Sequence, residues 1–456
     1  MNPNFPHPAL APTSGLIARD AARVWHPCTQ QSDHEWLPML AIARAQGAYL
    51  YDVQGKPYLD AISSWWTCLI GHRHPHIVAA LKDQLDTLDH VIFGGCTHEP
   101  AVALAEKLCV LTGLDRVFYA DIGSAAVEVA LKMSFHYWQN VGQANKLKFV
   151  CLSGSYHGET LGALSVSDVA LYRKTYGPIL LEPIIAPAPD AYEAPAGMSA
   201  HDFAIVQAKA LEQLLAARSD EICALIVEPL VQCAGGMRMY HPVYLARARA
   251  ACSRYGVHLI CDEIAVGFGR TGTLFACEQA DIRADFLLLG KSLTGGVLPL
   301  SAVLTTEVVY QAFYASYASQ RAFLHSHSFT GNPLACRAAL ATLEALAAED
   351  TLNKNQTLQL AMANALAPLA EHPNVAQVRQ TGMIIALELV ADKASRTAFD
   401  WRERRGLRVY QHGLTRGALL RPLGNVVYLM PPYCITEAEI QHLATVITEG
   451  VTLAVA

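Results

Sequence analysis

The stretch Leu259-Ile260-Cys261-Asp262-Glu263-Ile264-Ala265-Val266-Gly267-Phe268-Gly269-Arg270-Thr271-Gly272, followed by Phe286-Leu287-Leu288-Leu289-Gly290-Lys291, decides the reading of this chain. Two short, wholly apolar runs end abruptly, one in a carboxylate and the other in a lysine. Such runs read as strands covered on both faces, the mark of a mostly parallel sheet with helices on either side. Burying a carboxylate and an amine at adjacent strand ends costs stability unless the two share a task. In open α/β sheets ligands gather beyond the carboxyl ends of the strands, where both residues fall.

Working outward, further strands are expected over 116–119, 148–152 and 222–227, beside 258–261 and 286–289. Their polar endings are Asp121 to Ser124, Ser153 to Gly158 and Glu228-Pro229. Residues 47–52 and 56–60 read as a hairpin around Val53-Gln54-Gly55. Residues 186–198 are too rich in Ala and Pro for a helix and read as a surface excursion. From about Pro333 the chain is helical, with strands near 382–390 and 426–430. The expected division is an N-terminal segment over 1–75, a large domain over 76–335 and a small C-terminal domain over 336–456.

Composition removes several classes of function. With 52% apolar and 16% charged residues and a net charge of −6, the chain has the profile of a globular protein, with no electrostatic footprint for nucleic acid or an anionic membrane. Residues 1–15 show no basic region leading into an apolar one, and no apolar stretch has the length of a membrane span, so the default expectation is cytoplasmic. The twelve cysteines form no Cys-x-x-Cys pair, which argues against a disulfide framework or a zinc site. His72-Arg73-His74-Pro75-His76 lacks an accompanying carboxylate or cysteine pair, and Pro75 suggests a helix start, so no metal is expected there. Gly267-Phe-Gly-Arg-Thr-Gly272 matches a dinucleotide fingerprint in letters alone, because no helix start follows it.

Gly123 and Ser124 lead into a helix with apolar positions Val127, Ala130, Leu131, Phe135 and Trp138, so a strand end meets a helix N-terminus suited to a phosphate. Ser124 could equally be an ordinary N-cap. Tyr156-His157 follows the next strand and could offer a planar face, although aromatics there are commonly packing. Asp262 with Lys291 suits pyridoxal 5'-phosphate: the lysine forms an imine, and the carboxylate keeps the pyridine nitrogen protonated.

Together these motifs resemble the class III aminotransferases of the pyridoxal-phosphate fold type I, from about Trp25 to Pro432. The chain is most similar to the biotin-pathway branch that converts 8-amino-7-oxononanoate to 7,8-diaminononanoate. That likeness rests on Trp25-His-Pro27, Ser63-Ser-Trp-Trp66, His90-Val-Ile-Phe-Gly-Gly95, Gly235-Gly-Met-Arg-Met-Tyr-His-Pro242 and Tyr428-Leu-Met-Pro-Pro-Tyr433. The resemblance implies a mostly parallel α/β sheet plus a smaller α+β domain drawn from both termini. It implies Lys291 as imine lysine and proton shuttle, Asp262 as pyridinium partner, Tyr156 as stacking aromatic beside His157, and Gly123 and Ser124 at the phosphate. It implies a homodimer in which His327 and Ser328 reach the other subunit's phosphate, and a substrate site of Trp65, Arg270, Arg421 and Tyr428, with Arg421 on the carboxylate.

The amino donor in this branch is S-adenosylmethionine or lysine. Tyr428 and the tryptophan pair favour S-adenosylmethionine. Cys28 stands where a tyrosine is usual, which leaves the donor open, and the segments Arg173 to Pro178 and His325 to Ser328 resemble the lysine-using branch. Ile122 and Glu159 also depart from the residues often found there. Two rival readings are an ω-amine:pyruvate aminotransferase and a catalytically silent protein of the same fold; intact Asp262 and Lys291 speak against the second.

Overall fold

The computed structural model describes residues 15–37 and 39–456; residues 1–14, on which the absence of a leader was read, lie outside the described residues. The central sheet has seven strands: β1 (Arg116–Ala120), β2 (Lys148–Leu152), β3 (Ile184–Ala186), β4 (Ile222–Val227), β5 (His258–Asp262), β6 (Phe286–Leu289) and β7 (Ser301–Thr305). Their spatial order is β1-β7-β6-β5-β4-β2-β3. β7 is antiparallel to both neighbours, whereas the other pairs are parallel. The reason is length: residues 290–300 are fewer than the dozen or more that a parallel crossover needs.

Every residue of β4, β5, β6 and β7 is buried. Along β4, Leu225 and Val227 enter one apolar core and Ala224 and Ile226 the other, so both faces of the sheet are covered. The helix Gly123–Asn140 packs on the second face through Val127, Ala130 and Leu131.

Two smaller sheets flank this core. In one, Ile42–Gln46, Tyr49–Asp52 and Pro57–Asp60 form an antiparallel meander, and Ala418–Leu419 joins Pro57–Asp60 in parallel, tying two distant parts of the chain together. The hairpin turn is fixed by Asp52, whose Oδ1 accepts from the N–H groups of Gln54 and Lys56 at 2.9 Å, and by Gly55 at φ +85°. The other sheet contains Val375–Thr381, Ile384–Asp392 and Val426–Leu429.

The three histidines of 72–76 turn to three different carboxylates, Asp60, Glu349 and Glu344, and Pro75 opens the helix Pro75–Leu85. The Ala/Pro excursion is pinned by Tyr192, which is buried with the guanidinium carbons of Arg238, Arg396 and Arg379 at 4.7, 5.1 and 5.8 Å from its ring centre. After Gly267–Gly272 comes only the short 3-10 helix Ala276–Ala280, so the glycines do not join a strand directly to an α-helix as a dinucleotide fingerprint requires. No helix of the described residues is long and apolar enough to cross a membrane.

Candidate active site

Asp262 ends β5 and Lys291 follows β6 by two residues; since these strands are neighbours in register, with Asp262 opposite Leu288, both side chains open on one cavity of about 1800 Å³. Asp262 is buried. Its Oδ2 lies 2.7 Å from His157 Nδ1, and its Oδ1 accepts from the Ile264 N–H at 3.1 Å. Lys291 has φ +37°, and its Nζ stands 5.0 Å from the centre of the Trp66 ring. The side chain faces the cavity, but its amine is removed from bulk water, and this desolvation lowers its pKa from the ordinary lysine value against the opposing pull of Asp262.

Glu228 lines the same cavity at the end of β4. Burial pushes its pKa up to about 7, although it accepts from the N–H groups of Tyr156 (2.9 Å) and Cys233 (3.0 Å). Sequence reading marked Glu228-Pro229 as a strand end but gave the carboxylate no role. The Tyr156 hydroxyl donates to Glu159 Oε1 at 2.9 Å, as does that of Tyr172, and Cys28 Sγ lies 3.5 Å from the same oxygen.

Gly123 and Ser124 are the first two residues of their helix, and its N-cap is Ile122, so Ser124 is not the cap. The first intrahelical bond runs from the Ala126 N–H to Ile122 O (3.1 Å), which leaves the preceding N–H groups pointing out of the helix end. A Cβ on Gly123 would lie 2.9 Å from Ile264 Cγ2, and one on Gly158 2.4 Å from Ser124 Cβ; both positions need glycine for the loops to close around this end. An amine, a buried carboxylate and an open helix N-terminus around one cavity form a donor set that fits pyridoxal phosphate.

The opposite wall is built by an unusual backbone. Ser63, Ser64, Trp65 and Trp66 all have positive φ, between 46° and 71°, and form a single left-handed turn closed by the Trp66 N–H to Ile62 O bond at 2.8 Å. Four non-glycine residues in that region cost about 4–8 kcal/mol, which the surroundings must offset. Asp60 Oδ1 accepts from the Ser64 N–H (2.9 Å), and its Oδ2 from the Ser64 hydroxyl (2.7 Å) and lies 2.9 Å from His72 Nε2. The Ser63 hydroxyl donates to Met430 O at 2.7 Å. Trp65 faces the cavity with the Arg421 guanidinium carbon 4.1 Å from its ring centre, while Trp66 is buried beside Lys291.

Two residues expected to touch substrate stand behind this wall. Arg270 is fully buried and donates to the carbonyls of Pro431 (2.8 Å), Trp66 and Cys68 (both 3.4 Å). The Tyr428 hydroxyl accepts from Trp66 Nε1 at 3.0 Å. Neither lines the cavity. Replacing Arg270 with alanine would strip the buried carbonyls of Pro431 and Cys68 of this donor and leave that of Trp66 with the Ser292 hydroxyl alone, and a stability loss of about 3–5 kcal/mol is expected, measured by chemical denaturation. His327 and Ser328 also lie away from this cavity; His327 Nε2 is 2.8 Å from His325 Nε2 and its Nδ1 3.3 Å from Asp121 Oδ2.

Comparison with known proteins agrees with this geometry. The family model for aminotransferase class-III matches residues 29–451. The adenosylmethionine-8-amino-7-oxononanoate aminotransferase of Helicobacter pylori is 46% identical over 95% of this chain and 97% of its own length, and that of Nitratidesulfovibrio vulgaris is 43% identical over 95% and 81%. Among solved structures, the enzyme of that name from Methanocaldococcus jannaschii superposes with a TM-score of 0.90 at 36% identity, covering 96% of this chain and 98% of that one. The omega transaminase from Pseudomonas jessenii, in complex with PMP, gives 0.92 at 28% identity over 97% and 98%. With the lysine and carboxylate at neighbouring strand ends and the family match running through nearly the whole length, the chain belongs to the class III aminotransferases.

Proposed function

We propose that the chain transfers an amino group to 8-amino-7-oxononanoate, giving 7,8-diaminononanoate in biotin synthesis, with pyridoxal 5'-phosphate as cofactor. The observation that carries this reading is one cavity with Lys291 and Asp262 on one wall and Trp65 against Arg421 on the other, between apolar side chains such as Leu37, Ile42, Leu50 and Leu423. A long aliphatic chain with a carboxylate at one end needs such a channel and a distal planar cation.

The bound cofactor supplies an electron-accepting ring that stabilises charge at the carbon losing its proton. Lys291 Nζ holds the cofactor and, once released, moves that proton; its depressed pKa keeps a larger share of the amine neutral for the task. Asp262 holds the ring nitrogen's proton and is itself oriented by His157. Gly123 and Ser124 would take the phosphate, and Tyr156, which lines the same cavity, would offer its face to the ring. Two half-reactions share the site, so ping-pong kinetics follow.

S-adenosylmethionine is the proposed donor and lysine the second candidate; both bring a cation to the mouth, where Glu159 lies with Cys28 and Tyr172. The proposed working form is a cytoplasmic homodimer with His327 and Ser328 of one subunit at the phosphate of the other, a reading supported by the exposed apolar side chains of Ile92, Leu324 and Phe329. The test is turnover of 8-amino-7-oxononanoate with each donor supplied separately. No product with either would defeat the substrate assignment and leave an ω-amine transaminase. Arg421→Ala is expected to raise KM for the ketone about 10–100-fold, the worth of a charge-assisted hydrogen-bonded pair, with little change in kcat.

A further inference from the structure

We propose that Asp60 is a positioning residue that sets the chain-length preference of the site. This rests on the reading of Arg421 as the carboxylate-binding group. Trp65 and Trp66 are consecutive residues of one left-handed turn, yet they serve opposite ends of the substrate: Trp65 stacks on Arg421, and Trp66 lies over Lys291. The turn therefore acts as a ruler between the carboxylate end and the amine end. What holds it in an unfavourable backbone region is chiefly the Asp60 carboxylate, buried completely and bound to Ser64 through both the N–H and the hydroxyl, with His72 as the third contact. On the far side, Arg270 and Ser292 donate to the Trp66 carbonyl (3.4 and 3.2 Å), and Tyr428 accepts from its indole N–H, which fixes Trp66 independently of Asp60. Loosening Asp60 thus frees Trp65 and the Arg421 stacked on it while Trp66 and Lys291 stay in place.

The test uses the holoenzyme of Asp60→Asn, which keeps the shape and removes the charge. Its KM for the nine-carbon amino ketone is expected to rise about tenfold with kcat within about twofold, and its discrimination between that ketone and homologues shorter by one or two methylenes to flatten. Independently of turnover, nonanoate should bind the variant about tenfold more weakly by calorimetry. His72→Ala should shift both readouts in the same direction by a smaller factor, and His72→Gln, which can still donate to Asp60, should restore them. This series keeps the inference testable where Asp60→Asn folds poorly. Arg421→Ala is measured alongside. If it binds nonanoate as tightly as the unaltered chain, the carboxylate reading fails and this inference with it. If it weakens binding while the Asp60 and His72 variants lose only thermal stability, with nonanoate affinity and length preference unchanged, the positioning role alone is overturned.

Discussion

Lys291→Ala is expected to lower turnover by about 10⁴-fold or more, the largest effect of any single substitution in this chain. On the proposed roles of Lys291, two functions are lost together: the covalent hold on the cofactor and the base that moves the proton. The remaining cavity keeps Asp262, His157 and the helix end at Ser124, so the variant should still take up pyridoxal phosphate, non-covalently and more weakly. Two measurements check this. Borohydride treatment should leave no pyridoxyl group on the chain, whereas the unaltered protein is expected to carry one at Lys291. A small primary amine such as methylamine should restore part of the rate by acting as the missing base. Retention of more than a few per cent of turnover without added amine would remove Lys291 from the chemistry.

Asp262→Asn is expected to cost about 10²–10³-fold in turnover, the range for removing one electrostatic stabiliser at a reacting centre. The substitution keeps the shape; its carbonyl oxygen can still accept from the Ile264 N–H while its NH2 turns to His157 Nδ1 as acceptor, so folding should be little altered. What disappears is the negative charge proposed to hold a proton on the pyridine nitrogen. The loss should fall on kcat and kcat/KM alike, because the charge matters most when the ring accepts electrons. It should also appear in the absorbance of the bound cofactor as a shift towards the form with an unprotonated ring. Combining Asp262→Asn with Lys291→Ala should cost little beyond the lysine change alone, since the two residues act as a unit.

Much of this was legible in the sequence because the deciding strands are fully buried and announce themselves as unbroken apolar runs. The expected strands over 148–152, 222–227 and 286–289 match the observed ones, and the other two differ by one residue at the end. β3, three residues long, and β7 were not read. β7 is as buried as β6 but begins and ends in the hydroxyl residues Ser301 and Thr305, and its antiparallel direction follows from the shortness of its connection to β6. At the site, Lys291, Asp262, Tyr156, His157, Gly123, Ser124, Trp65 and Arg421 do share one cavity. Arg270 and Tyr428 were harder, because spacing along a chain says nothing about which way a side chain turns. Arg270 follows Gly269, at φ +93°, and is directed into the backbone of the tryptophan turn. The turn itself had no local signal, since a run of four left-handed residues containing no glycine defies every propensity and is imposed by distant partners such as Asp60, Met430 and Arg270.

The parallel pairing of Ala418–Leu419 with Pro57–Asp60 bears on how the molecule is made. About 360 residues of chain separate the two, so at a synthesis rate of roughly 5–20 residues per second the early strand waits some 20–70 s for its neighbour to leave the ribosome. Throughout that interval the hairpin presents an unpaired edge, an invitation to foreign strands that a nascent-chain chaperone would have to shield. A message broken between codons 306 and 417 would give a polypeptide with every large-sheet strand in place and this seam permanently open.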